Sequence, residues 1–214
     1  VVGRAQLQLP PEIEVVFNDV YEADDSVVTA CTADPKAIFY SEDKDLNCLR
    51  NRRLCQHELR VLPRVEGLGW LALKELSSSK KVDGRGPVFF WAQMLMGDTA
   101  DAIKGITKAN GKPCGPAKTF ELLQPYLIPQ LDSQTPHPVT PTTTEADLAR
   151  FVLRLYMENG QNAWPEGWLL WLYPKEGYNF LNHCKDLGLL DDSDLGMWLK
   201  AQLKTRWFDN SLEK

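Results

Sequence analysis

Seven carboxylates fall in three short clusters whose residue types suit a hard metal ion. Glu22, Asp24 and Asp25 share one run, Asp43 and Asp45 flank Lys44, and Asp98 and Asp101 are separated by two small residues. Packing so many carboxylates together without cations would raise their pKa values and oppose folding, since like charges resist joint ionisation. Mg²⁺ or Mn²⁺ answers that problem, because both take oxygen ligands and keep bound water. Two such ions about 4 Å apart activate a water and stabilise the leaving oxygen of a phosphodiester. Singly, each cluster has a plainer account: acids in a first helical turn complement the helix dipole, and a polar turn after a strand is ordinary surface loop. Three clusters in strand, loop and helix order could meet at one sheet edge.

A basic stretch adjoins the last cluster. No acid occurs from Ala102 to Phe120, while Lys104, Lys108, Lys112 and Lys118 alternate with Gly105, Gly111 and Gly115. Helix, glycine loop and second helix can present backbone N–H groups to a phosphate, and the lysines add charge without reading bases. A net charge of −5 first argues against a nucleic-acid partner. The seven acids alone contribute −7, however, so the rest of the chain carries +2. Cations bound in the acidic site would unmask that balance.

The positioning elements can be read in order. Glu12–Phe17 alternates as a short strand, and Ala23, Val27, Ala30 and Cys31 recur at helical spacing, predicting a helix over 22–32. Ala37–Tyr40 is wholly apolar, like a strand buried on both faces of a parallel sheet. Asp43 and Asp45 follow its carboxyl end, the edge where open α/β sheets bind ligands. Arg50, Arg52, Arg53, Arg60 and Arg64 then make a basic face, either solvated or phosphate-contacting. Leu68–Leu76 reads as a short helix and Ser77–Lys81 as a flexible loop. Pro87 opens a helix apolar nearly all round, hence deeply buried, which delivers Asp98 and Asp101. Pro116–Leu123 is a second helix, Ser133–Thr144 a Pro/Thr-rich linker, and Glu145–Glu158 an amphipathic helix. Five of the seven tryptophans (Trp164, Trp168, Trp171, Trp198 and Trp207) lie in the C-terminal third. They read as rings buried in a helical cap rather than as base-stacking platforms.

EADD, then SEDKD, then GDTAD leading into IKGI and GPAKT, resembles the signature series of the flap endonuclease and 5′→3′ exonuclease superfamily, most of all its bacteriophage members. The match covers about Val15 to Leu123. It implies an α/β fold with a parallel-sheet 5′-nuclease (PIN-like) core at 1–96, incomplete at the N-terminus. A helix-three-turn-helix at 97–132, the linker at 133–144 and a helical C-terminal region at 145–214 follow. Carried over by motif, Glu22, Asp24, Asp25, Asp43, Asp45, Asp98 and Asp101 are metal ligands, with Asp24, Asp25, Asp43 and Asp98 forming the catalytic set. Lys104, Lys108, Lys112, Gly115 and Lys118 are the DNA-gripping residues, and the resemblance allows a K⁺ ion on loop carbonyls. The sequence departs from the pattern in three places. Nothing before Val15 supplies the family's first-strand Asp and arch, Ala102 stands where the family usually has Asn, and the turn from Ile106 to Gly115 is long.

The resemblance thus implies a divalent-metal-dependent 5′ nuclease acting on DNA ends or flaps in phage replication, recombination or repair, within a bacterial host's cytoplasm. Its partners would be duplex DNA, an N-terminal fragment of the same protein or other replication proteins. A different class of function, a non-catalytic DNA-binding or replication-assembly subunit that keeps the fold or needs a partner chain, follows from the missing first-strand Asp. A toxin-like RNase of the related fold fits less well, since such proteins lack the helix-turn-helix. At 214 residues with 43% hydrophobic content, the chain suits one sizeable core or two small ones, and no apolar run reaches the roughly 20 residues of a membrane span. Five cysteines at irregular spacing favour free thiols in a reducing compartment; Cys48, Cys55 and His57 make only a poor zinc pattern. The opening Val1-Val2-Gly3, with no initiator Met or signal peptide, reads as a processed, split or truncated product.

Overall fold

A computed structural model of the protein describes residues 10–109, 111–127, 143–191 and 193–204. Helix α1 (Ala23–Ala33) starts at the expected place, with Glu22 as its N-cap and Asp24 and Asp25 in its first turn. Val28 and Cys31 on its inner face join Phe39, Leu46 and Leu49 in a small hydrophobic core. Strand β1 (Ile38–Phe39) pairs in parallel with β2 (Arg52–Cys55), which pairs antiparallel with β3 (Arg60–Leu62). A 3-10 turn, Asp45–Cys48, lies between β1 and β2. Strands β4 (Trp70–Glu75) and β5 (Lys80–Arg85) form a separate antiparallel hairpin. Five more helices pack around α2 (Pro87–Met96): α3 (Pro116–Leu123), α4 (Glu145–Glu158), α5 (Trp164–Leu170), α6 (Phe180–Asp186) and α7 (Asp194–Leu203). The fold is therefore mixed α/β, with two small sheets and seven helices among the described residues.

Several expectations are revised. Glu12–Phe17 is irregular, and Ile13, Val15, Val16 and Phe17 are exposed. Alternation yields a strand only where a neighbour takes up the backbone groups, and none of the described strands pairs there. Strand β1 is two residues long with one buried face: Phe39 is buried, while Ile38 and Tyr40 are exposed. Only β1 and β2 run parallel among the described strands, since β2 turns straight back as β3. An extended parallel sheet is thus absent from the described residues. The expected helix over Leu68–Leu76 is instead strand β4 over Trp70–Glu75, and Lys80 and Lys81 belong to β5 rather than to a loop. Cross-strand pairs decide this: Lys74 meets Asp83, and Lys80 meets Glu75 at 2.8 Å. Pairing of this kind overrides the weak helical preference of the run.

Arg52, Arg60 and Arg64 are exposed, Arg50 and Arg53 half-buried, and each makes a polar contact with the chain. Arg52 donates to the Lys36 carbonyl at 2.8 Å, and Arg53 donates to Asn47 Oδ1 at 2.7 Å and the Ser41 carbonyl at 2.6 Å. Arg64 reaches the Pro35 carbonyl at 3.3 Å, Arg60 pairs with Glu58, and Arg50 reaches the Gly67 carbonyl and Glu145. Apart from Arg60, they donate to backbone carbonyls of the loops around them.

The larger core surrounds α2, whose residues Pro87 to Leu95 are all buried. Tyr156 of α4 donates through its hydroxyl to the Met94 carbonyl, one of the acceptors a helix leaves open at its C-terminus. Trp164 is wholly buried and donates to the Leu199 carbonyl at 3.0 Å, and Trp171 donates to Tyr178 at 3.1 Å. Trp168 and Trp198 pack against the same core, in keeping with a helical cap. Trp207 and residues 133–142 of the expected linker lie outside the described residues. All five cysteines are free thiols.

Candidate metal centre

Helix α2 ends on Gly97, and the chain then folds back on itself. The Asp98 amide donates to the Ile103 carbonyl and the Ile103 amide to the Asp98 carbonyl, both at 2.8 Å. The turn is tight enough that a Cβ on Gly97 would fall 2.4 Å from the Ile103 carbonyl oxygen, and one on Gly105 would fall 2.3 Å from the Gly97 nitrogen. Glycine is required at both positions, which both have positive φ. Ala102 also sits at a left-handed φ of 57°, a region asparagine tolerates better than alanine.

This turn points Asp98 inward. Its side chain is only 1% exposed. Oδ1 accepts from Lys44 Nζ and, at 2.9 Å, from the Ala100 amide; Oδ2 is buried with no hydrogen-bond partner. Burial pushes the Asp98 pKa up, but the bond and charge of Lys44 and the backbone amides of Ala100 and Asp101 outweigh it and hold the group below the usual carboxylate value. Asp45 enters from the 3-10 turn after β1, where Gln93 Nε2 of α2 donates to its Oδ1 at 2.5 Å. Burial nevertheless keeps the Asp45 pKa raised, against the Gln93 bond and with help from Asp43 and Asp98. Asp101, exposed, completes the group: one oxygen from each of Asp45, Asp98 and Asp101 lies within 4.8 Å of the others. Among the described residues this is the one set of three or more His, Cys, Asp or Glu side chains so arranged, and Cys48, Cys55 and His57 form no such set.

The remaining acids divide. Asp24 lies near Asp43: its pKa is raised by burial first and then by the charges of Asp43, Asp45 and Glu22. Asp43 caps the turn by accepting from the Asp45 amide at 2.9 Å. Asp25 does not join them. Its Oδ1 accepts from the Tyr173 amide at 2.8 Å, on the side of α1 lined by Val16, Tyr21 and Tyr173. Adjacent helical residues diverge by about 100°, and Asp25, expected as a metal ligand and catalytic group, lies outside the Asp45, Asp98 and Asp101 set.

Lys104, Lys108 and Lys112 are exposed along the loop after the turn. Gly115 is the N-cap of α3, and Lys118, in its first turn, pairs with Glu121 at 2.7 Å. The Gly105 carbonyl accepts from Gln161 Nε2 at 2.8 Å. Two polar residues of the centre escaped the sequence reading. Lys44 stood unremarked between two acids, and Gln93 is the lone polar side chain in the apolar run of α2, a signal in its own right.

No protein-family model, curated protein or solved structure matches the chain. No helix among the described residues is long and apolar enough to cross a membrane.

Proposed function

We propose that this chain binds divalent metal at the Asp45, Asp98 and Asp101 centre and acts as a 5′ nuclease of the PIN-like, bacteriophage type on DNA ends or flaps. The observation that carries the reading is Asp98 Oδ2, buried beside two other carboxylates and lacking any partner. A buried carboxylate oxygen with an open lone pair loses about 1–3 kcal/mol or more, and a hard cation would satisfy it. The donor set fits Mg²⁺ or Mn²⁺, since it is all oxygen and partly open to water through exposed Asp101. Asp45, Asp98 and Asp101 would hold one ion, and Asp24, Asp43 and Glu22 would help hold a second. Bound there, the ions would supply a water of lowered pKa and charge to offset the leaving oxygen.

The chain's own groups have separate tasks. Gln93 fixes the Asp45 carboxylate, and the Ala100 amide fixes that of Asp98. Lys104, Lys108 and Lys112, with the amide-bearing N-terminus of α3 at Gly115, would grip the sugar-phosphate backbone without reading sequence. Duplex binding would weaken steeply with salt.

The test is Asp98→Asn. Mn²⁺ binding measured by calorimetry should fall sharply while circular dichroism stays native, and metal-dependent cleavage of a 5′-flap duplex should be lost with DNA binding retained. Unchanged Mn²⁺ affinity would refute the centre. A non-cutting DNA-binding subunit is favoured instead by the turning away of Asp25, which leaves fewer ligands than the full acidic series. Mn²⁺-dependent cleavage of the flap by the chain alone excludes that second reading.

A further inference from the structure

The metal centre contains its own cation. Lys44 Nζ lies 2.5 Å from Asp98 Oδ1, and the other charges acting on it are Asp45 and Asp101, the same three carboxylates that converge as a candidate ligand set. The two partners differ in freedom. Asp98 is 1% exposed and pinned by the Ala100 amide, whereas the Lys44 side chain is 39% exposed. The ammonium thus reaches the centre from solvent and can swing back to it, while the carboxylate stays in place. An ammonium on Asp98 Oδ1 and a divalent ion on its Oδ2 would stand only a few ångströms apart and repel strongly in this half-buried setting.

We propose that Lys44 is a displaceable counter-ion: it neutralises Asp98 and its neighbours in the metal-free protein and is expelled to solvent when a divalent ion binds. The inference rests on the metal-binding reading above and adds a competition to it. Lys44 keeps the acidic centre from repelling itself apart in the absence of metal, and it sets metal affinity lower than the carboxylates alone would give. A metal-free fold and a reversible metal site then come from one side chain. No atom is transferred; one salt bridge opens as ion–carboxylate bonds form.

Two measurements on the full chain test this. Lys44→Met should bind Mn²⁺ at least about tenfold more tightly than wild type by calorimetry, the loss of one charge-assisted bond that metal must otherwise break. Lys44→Arg, which keeps the charge, should stay near wild type. Separately, amine-directed labelling read by mass spectrometry should find Lys44 protected in the metal-free wild type and reactive at saturating Mn²⁺, with exposed Lys104 as an internal reference. Should Lys44→Met lose its fold without metal, Mn²⁺ should restore the native circular dichroism spectrum; a variant unfolded at every Mn²⁺ concentration overturns the proposal. Equal Mn²⁺ affinity in wild type and Lys44→Met, or Lys44 labelling indifferent to Mn²⁺, overturns the counter-ion role while leaving the metal centre intact. Absence of Mn²⁺ binding in both proteins overturns the metal reading and this inference together.

Discussion

Gln93→Leu offers the sharpest check on the centre, because it replaces no proposed ligand. Gln93 is 3% exposed, on a helix otherwise apolar over its buried residues, and its Nε2 donates to Asp45 Oδ1 at 2.5 Å. Leucine is close in volume and suits the apolar surroundings, so packing changes little. What is lost is the donor that aims the Asp45 carboxylate. Groups that orient metal ligands in this way are worth about 10–100-fold in metal affinity, or about 1.4–2.8 kcal/mol. In the metal-free protein the substitution leaves Asp45 Oδ1 short of a partner, a loss of about 1–3 kcal/mol partly offset by the greater apolar burial of leucine. Calorimetric Mn²⁺ titration should therefore show a weakened dissociation constant, beside a thermal melt shifted by only a few degrees. The sign is opposite to that expected for Lys44→Met, although each residue contacts one carboxylate of the same set. A folded Gln93→Leu protein that binds Mn²⁺ as tightly as wild type would refute the reasoning.

Three further outcomes follow from other parts of the fold. Ala102→Gly should relieve the left-handed φ of 57°, gaining about 1 kcal/mol and raising the thermal midpoint by about 2–4 °C; a lowered midpoint would contradict the turn geometry. Gln161→Ala removes acceptors of the Thr107 amide and hydroxyl at 2.9 and 3.0 Å and the donor to Gly105, so hydrogen exchange at the Thr107 amide should accelerate and duplex binding should weaken. Glu145 accepts from His183 at 3.0 Å and Trp91 at 3.4 Å and pairs with Arg50 at 3.5 Å. Burial raises its pKa, but the His183 bond and the nearby charges outweigh that and leave it lowered. Its stabilisation is therefore present above the unfolded carboxylate pKa of about 4.3 and lost as pH falls through the lower folded value. Glu145→Gln should cost about 1–3 kcal/mol at pH 7 and flatten acid unfolding in that window; an unchanged acid melt would count against the network.

Helices whose signals are local were legible in the sequence. The apolar circumference of Val88–Leu95, the proline at a first-turn position in α2, and the amphipathic spacing of Glu145–Glu158 act within a few residues of one another. The hairpin of β4 and β5 was not, because Leu68–Leu76 has helical spacing and its strand state depends on partners about ten residues away in sequence. The acidic clusters were found as clusters. Their membership was not fixed, since whether Asp24 or Asp25 lies near Asp43 depends on the rotation of α1 against a segment some 148 residues distant. Lys44 was hidden for a related reason: among acids a lysine reads as local charge balance until its reach to Asp98 is known.

The C-terminal third reads from sequence as a cap, yet it touches all the segments that supply acids to the centre. Tyr173 is held by α1 at both backbone groups: its amide donates to Asp25, and its carbonyl accepts from the Thr29 hydroxyl at 2.9 Å. Fixing Asp25 there fixes the rotation of α1, which in turn aims Asp24 at Asp43 and Asp45. Tyr156 closes the C-terminus of α2 just before Gly97, and Gln161 holds the loop at Gly105 just beyond Ile103. The turn carrying Asp98 is thus clamped on both sides from α4 and the residues after it. Arg50, two residues beyond the Asp45 turn, meets Glu145 at the start of the same helix. Carboxylates that repel one another stay close where a counter-ion such as Lys44 and a stiff scaffold together oppose their repulsion, and part of that scaffold comes from a region that contributes no acid to the centre.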